Sequence, residues 1–168
     1  MIFQRTNSMS DTLVIQSHRS PLPYLWVEQC LASVRAWCAL NDYQYLFIGD
    51  ELFDRLPETI QRKTAQQPVI TSDLARLLAI KAALQCYTCV VWLDADFLIF
   101  KPSEFEIPDM SYAVGREVWV QHDNNGRLRV YKKVHNAFLM FRRDNHFLDF
   151  YTESAQRLLM HNSVAVPP

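Results

Sequence analysis

Val90-Val91-Trp92-Leu93-Asp94-Ala95-Asp96 is an apolar run that ends in two aspartates flanking one small residue. Four apolar residues bounded by acids read as a buried strand, which sets both carboxylates at its C-terminal tip. In open α/β sheets ligands bind outside that edge. Two carboxylates this close repel each other, and a positive partner, most simply a hard divalent cation with oxygen ligands, relieves the repulsion. On spacing alone the pair reads equally well as a strand running into an acidic turn, so the surroundings decide.

Upstream, Thr12-Leu13-Val14-Ile15 predicts a first strand, followed by the polar loop Gln16-Ser17-His18-Arg19-Ser20-Pro21-Leu22-Pro23. From Leu25 to about Ala39, the residues Val27, Cys30, Leu31, Val34, Trp37 and Cys38 recur at helical steps. Tyr43 to Ile48 predicts a second strand closed by Gly49-Asp50, and strand, helix, strand make a βαβ unit. Glu51 to Gln67 reads as a polar connector with a short helix, ended by Pro68. Thr71-Ser72-Asp73 then supplies a capping residue and a first-turn acid for a helix from about Ser72 to Gln85. Phe97 to Pro102 reads as extended chain beyond the aspartates, which places a topological switch point at Asp94. Val114 to Gln121 and Leu128 to Lys132 flank Asn124-Asn125-Gly126 as a hairpin, Asn136 to Phe141 predicts a further strand, and His146 to Met160 a final helix.

The 168 residues, 49% of them hydrophobic, fit one domain over 12–168, with 1–11 as an extension or edge strand. A net charge of −1 gives no global field for nucleic acid. No apolar run approaches a bilayer's thickness, and Met1-Ile2-Phe3-Gln4-Arg5 is no signal peptide, so a cytoplasmic location is expected. Of the four cysteines, Cys30 falls on the apolar stripe of its helix. Cys86-Tyr87-Thr88-Cys89 lies between a helix end and a strand, unlike redox C-x-x-C motifs, and no second pair completes a zinc site.

A helix of about 13 residues spans roughly 20 Å, and a strand of about six spans roughly the same. Packed antiparallel, the helix that starts near Asp73 returns its N-terminus to the tip of the aspartate strand. Asp73 and Arg76, one turn apart, then stand beside Asp94 and Asp96. Three acids, a guanidinium and a positive helix end at one edge suit a metal-bound diphosphate and a polyol. The bland alternative is a local Asp73–Arg76 pair on a helix surface.

At this point the residues resemble a known pattern. Ser72-Asp73-Leu74-Ala75-Arg76-Leu77-Leu78, followed after a helix by Val91-Trp92-Leu93-Asp94-Ala95-Asp96, resembles the "SDxxR … hhDxD" signature of GT-A glycosyltransferases with a DxD motif. The similar family contains bacterial capsule and lipopolysaccharide sugar transferases, yeast mannosyltransferases and, more distantly, the large clostridial glucosylating toxins. Val14-Ile15-Gln16-Ser17-His18 looks like its first strand and following loop, and Asn136-Ala137-Phe138-Leu139 like a later conserved segment; the likeness spans about residues 12–160. It implies a Rossmann-like mixed sheet flanked by helices, bacterial polysaccharide biosynthesis, and transfer of a sugar from a UDP- or GDP-sugar to a glycan or lipid-linked acceptor with retention. It also implies roles for residues. Asp96 ligates Mn²⁺ or Mg²⁺, with Asp94 at ribose, sugar or metal, while Asp73 and Arg76 orient the donor sugar. Gln16, Ser17 and His18 lie toward the nucleotide, and Asn136 meets the transferring sugar.

The pattern also departs from that family. Cys86-Tyr87-Thr88-Cys89 stands where relatives often carry two glycines, and ending at Pro168 implies that part of the C-terminal acceptor region is lacking. A non-catalytic nucleotide-sugar-binding or scaffold domain is therefore the alternative. Arg127, Arg129, Lys132, Lys133, Arg142 and Arg143 form a basic group, read either as a solvated hairpin or as a face for an anionic acceptor or the inner membrane surface. A phosphatase that starts from Asp-x-Asp wants Thr or Val where Leu98 stands, and a nucleotidyltransferase wants a glycine-rich loop that three scattered glycines do not form.

Overall fold

A computed structural model describes residues 11–65 and 67–161. The elements alternate as the sequence predicts: β1 (Thr12–Ser17), α1 (Leu25–Leu40), β2 (Gln44–Ile48), a 3-10 helix (Asp50–Arg55), α2 (Glu58–Lys63), α3 (Pro68–Ala83), β3 (Cys89–Leu93), β4 (Tyr112–His122), β5 (Leu128–Arg142) and α4 (His146–His161). The architecture is α/β, with a mixed five-stranded sheet in the order β2-β1-β3-β5-β4. β1 pairs in parallel with β2 and β3, while β5 runs antiparallel to β3 and β4. The expected edge strand or extension falls almost entirely outside the described residues.

Alternation along the strands splits the core into two layers. Leu13, Ile15, Val90 and Trp92 face α3, α4, α2 and the 3-10 helix, where Leu74, Leu77, Ile80, Ile60, Leu52 and Leu148 are buried against them. Val14, Val91 and Leu93 face the other way, onto Val34, Trp37 and Cys38 of α1. β1 connects to β2 through α1 and the chain returns to β3 through α3, on the opposite face. The switch point therefore lies between the C-terminal ends of β1 and β3, which is a property of strand order.

Several boundaries differ from the sequence reading. Pro68 opens α3 instead of closing the connector, because proline fits the first helical position, where its missing N–H is no loss. Thr71 and Ser72 consequently lie inside the helix. Their hydroxyls donate back to Gln67 O at 3.0 Å and Val69 O at 2.7 Å, so neither caps. Asp73 is thus a second-turn residue. The chain after Asp96 is not extended along the strand direction: it turns, with Phe97 N donating to Asp94 O at 3.0 Å, and crosses to α1. There the Ile99 amide donates to Ser33 Oγ at 3.0 Å and Trp37 Nε1 to Phe105 O at 2.7 Å.

The hairpin and the strand expected at Asn136 are one long strand, β5, of 15 residues. Its ladder with β4 shifts register between Val114 and Gly115: Val114 faces Leu139 but Gly115 faces His135, leaving Asn136, Ala137 and Phe138 without partners on β4. Gly115 is required there, since a Cβ would sit 2.7 Å from His135 O. The bulge turns the hairpin out of the sheet and re-aims Asn136.

Candidate functional site

At the C-terminal ends of β1 and β3, Arg76 of α3 lies under a cleft with only 7% of its surface exposed. A guanidinium in such a place needs carboxylates, and it has two. Its Nη1 donates to Asp94 Oδ1 at 2.9 Å and to Asn136 O at 2.9 Å, and Nη2 lies 3.1 Å from Asp73 Oδ1. The guanidinium carbon sits 5.4 Å from the Trp92 ring centroid, a cation–π contact. Nε is buried without a hydrogen-bond partner among the described residues.

Each remaining member is held in turn. Asn136 Nδ2 donates to Asp73 Oδ1 at 2.8 Å, which is what the bulge in β5 achieves. Trp92 Nε1 donates to Asp94 Oδ1 at 2.8 Å. Asp94 N donates to Ala137 O at 2.9 Å, and Gln16 Nε2 donates to Asp94 O at 3.0 Å. Burial holds the Asp73 carboxyl above its usual range, against the opposing pull of Arg76 and of the Asn136 hydrogen bond.

The cleft above this cluster has a volume of about 660 Å³. Its walls come from Ser17, His18 and Arg19 after β1, from Gly49, Asp50, Leu52 and Phe53 after β2, and from Trp92, Asp94, Ala95 and Asp96 at the tip of β3. The first turns of α1 and α3 complete it through Tyr24, Trp26 and Val27 and through Pro68, Val69 and Ser72. Two helix N-termini and Arg19 therefore bring positive potential to a cleft that also carries Asp50 and Asp96. The described residues include no helix long and apolar enough to cross a membrane.

The chain matches no protein-family model and no curated protein. A solved glycosyltransferase is similar to it. That protein, involved in the glycosylation of the major capsid of PBCV-1, is 12% identical with a TM-score of 0.42, over 90% of this chain and 67% of its own. At that identity and TM-score the likeness is weak.

Of the sequence-predicted residues, Asp73, Arg76, Asp94 and Asn136 form one hydrogen-bonded cluster. Asp96 stands apart from it, exposed on the cleft wall and without a hydrogen bond or ion pair to any described residue. Ser17 and His18 line the cleft, and the His18 ring bonds its neighbour's carbonyl, Arg19 O, at 3.2 Å. Gln16 does not reach the cleft. It is fully buried, tied to Asp94 O and to the Tyr45 hydroxyl at 3.2 Å, and so acts beneath the site.

The positive partner that two neighbouring carboxylates require is, for Asp94, a side chain. Arg76 neutralises it, and the two aspartates diverge, with Asp96 close enough to Cys30 of α1 to perturb its thiol. Among the described residues no three His, Cys, Asp or Glu side chains converge on a point. That donor set fits a cation held by one or two carboxylates and completed by phosphate oxygens and water, as Mg²⁺ commonly is, and does not fit an all-protein cage. Asp96, on the cleft wall, is the carboxylate that would contribute to such a site.

Tyr24 and Trp26 escaped the sequence reading. They stack with ring centroids 6.1 Å apart on the cleft wall and are both exposed. The signal was there: Trp26 falls off the buried stripe of α1, and a large aromatic outside the core stripe is more informative than one on it.

Proposed function

We propose that the cleft binds a nucleoside-diphosphate sugar and that the protein is a metal-dependent glycosyltransferase of the GT-A, DxD-containing type. The observation that carries this reading is the division of labour at the tip of β3. Asp94 is consumed in holding a buried arginine under the cleft floor, and Asp96, two residues on, lines the cleft without a hydrogen bond or ion pair among the described residues.

The arrangement suits such a donor part by part. Tyr24 and Trp26 offer a flat apolar surface for a base, and His18 lines the same cleft. Arg19 and the first turns of α1 and α3 favour the diphosphate. Arg76, which lines the cleft, keeps one Nη2 N–H beyond those spent on Asp73, Asp94 and Asn136, and that donor can orient a sugar hydroxyl. A cation on Asp96 and Asp94 would neutralise the departing diphosphate. Arg76, immobilised before the donor arrives, would stabilise the same charge without reorganisation. The sequence resemblance adds retention of configuration and a glycan or lipid-linked acceptor.

Calorimetry with UDP- and GDP-sugars, with and without Mn²⁺ or Mg²⁺, tests the reading. Metal-dependent heat for at least one donor, abolished by Asp96→Ala, is expected. Absence of heat for every donor refutes it. Donor hydrolysis or transfer followed by mass spectrometry separates an enzyme from a binding domain, since a binding domain shows heat and no turnover.

A further inference from the structure

Beyond the bulge, the β4–β5 hairpin leaves the body of the molecule. From Val118 to His135 every residue except Asp123 is exposed, and the ladder runs unbroken from Gly115↔His135 to His122↔Leu128. Opposed residues of an antiparallel pair share a face and faces alternate along each strand, so the register assigns every side chain to a side. One face carries Val118, Val120, Leu128, Val130 and Val134, together with Arg116 and Lys132, and no acid.

Both acids of the hairpin are engaged elsewhere. Glu117 lies on the opposite face, 3.8 Å from His135 Nε2, alongside Trp119, over whose ring Lys133 sits at 4.2 Å. Asp123 is in the turn, where it accepts from the amides of Asn125 and Arg127 and pairs with Arg129 at 3.1 Å. Between Gly115 and His135 there are five Lys and Arg against two Asp and Glu, in a chain whose net charge is −1. The hairpin thus carries a net positive charge within a chain that is slightly negative, and it also exposes a row of aliphatic side chains.

A two-stranded ribbon with both faces wet is marginal by itself, and a contiguous aliphatic face on a projecting element marks a contact surface. Charge selects what it contacts. A second copy would bring two positive ribbons together, and lysines on an open edge oppose strand pairing. A nucleic acid matches the charge but leaves the aliphatic row idle, because single strands are bound by aromatic stacking and hydrogen bonds. An anionic lipid surface uses both features, since its headgroups attract the cations and its interfacial layer accepts the aliphatic side chains.

We infer that the valine-rich face of the β4–β5 hairpin docks this protein on an anionic lipid surface. The inference stands apart from the donor-site reading, because no residue of the hairpin face lines the cleft.

Flotation of the whole chain with vesicles tests it. The protein is expected to rise with vesicles in which a third of the lipid is phosphatidylserine, to stay behind with pure phosphatidylcholine, and to be released by high salt. Replacing the cross-strand pair, Val120→Asp with Val130→Asp, abolishes flotation, and Lys132→Ala weakens it about fivefold. Trp119→Ala, on the other face, leaves it unchanged. None of these residues belongs to the buried core, so the melting temperature of the body stays that of the parent, while the opposed aspartates weaken the ribbon locally. Val120→Thr with Val130→Thr gives a milder version that keeps strand propensity. No flotation, equal flotation with neutral lipid, or loss on Trp119→Ala alone overturns the inference. So does a dimer in sedimentation velocity that the valine substitutions split, or salt-sensitive binding to single-stranded RNA without any to vesicles.

Discussion

Arg76→Met keeps most of the side-chain length and removes the charge, and its effect can be worked from the contacts. Lost are the ion pairs to Asp94 at 2.9 Å and Asp73 at 3.1 Å, the bond to Asn136 O and the contact with Trp92. Removing one partner of a buried ion pair typically costs about 3–5 kcal/mol, because the other charge is left behind. Here the Asp73 and Asp94 side chains keep 43% and 27% of their surface exposed, so water reaches the stranded carboxylates. That brings the expected loss to about 2–3 kcal/mol, or roughly 5–10 °C in melting temperature. Urea unfolding followed by tryptophan fluorescence, in which Trp92 reports from inside the cluster, measures it. The denaturant slope should not change, because the surface exposed on unfolding is the same. Adding Asp94→Asn to Arg76→Met removes one of the stranded charges, so the double variant should recover part of the loss, with a coupling of about 1–3 kcal/mol. An Arg76→Met protein within about 0.5 kcal/mol of the parent, or strict additivity of the two changes, would refute the account of the cluster.

Asp73 supplies a pH test. Its folded pKa is raised, mainly by burial, so the native state binds more protons than the unfolded chain between the two values. Its contribution is full below the unfolded value of about 3.9 and is lost as pH rises through the raised folded value. The parent's stability relative to Asp73→Asn should accordingly shrink as pH is raised through that window, and a growing difference would contradict it. Gly115→Ala forces a Cβ to within 2.7 Å of His135 O and should cost about 1–3 kcal/mol. Hydrogen exchange should quicken at the root of the hairpin, and parent-like stability would show that the bulge does not need glycine. Burial pushes the Cys38 thiol up to about 12, and raises Cys30 and Cys89 as well. A thiol reagent at neutral pH should therefore modify the half-buried Cys86 first and the others only on unfolding, an order that mass mapping reads directly.

The elements whose apolar pattern has a clear period were legible in the sequence. α1 begins at Leu25 where its stripe begins, α4 at His146, and the buried run at Val90 is a central strand. The start of α3 was not, because Pro68 ends one kind of helix and opens another and its local chemistry is the same in both. The two segments of β5 looked separate because the bulge interrupts their alternation. At the site, helix and strand lengths sufficed to bring Arg76 to Asp94, a matter of reach. They could not tell that Arg76 would satisfy Asp94 alone and leave Asp96 on the other side, because that depends on side-chain direction at a turn. The resemblance carries Gln16 toward the nucleotide with its loop neighbours, whereas the strand pleat turns it inward, beneath the site.

Asp94 is gripped from four parts of the chain: its carbonyl by Gln16 of β1, its amide by Ala137 of β5, and its carboxylate by Arg76 of α3 and Trp92 of β3. Asp96 is gripped by none of the described residues. The two acids of one short motif thus differ in mechanical character, one a fixed datum and the other a free pointer on a turn. On the proposed function, a bound donor would meet a floor fixed through Asp94 and, two residues on, a carboxylate that the fold leaves for the ligand side, so one short motif divides support from contact.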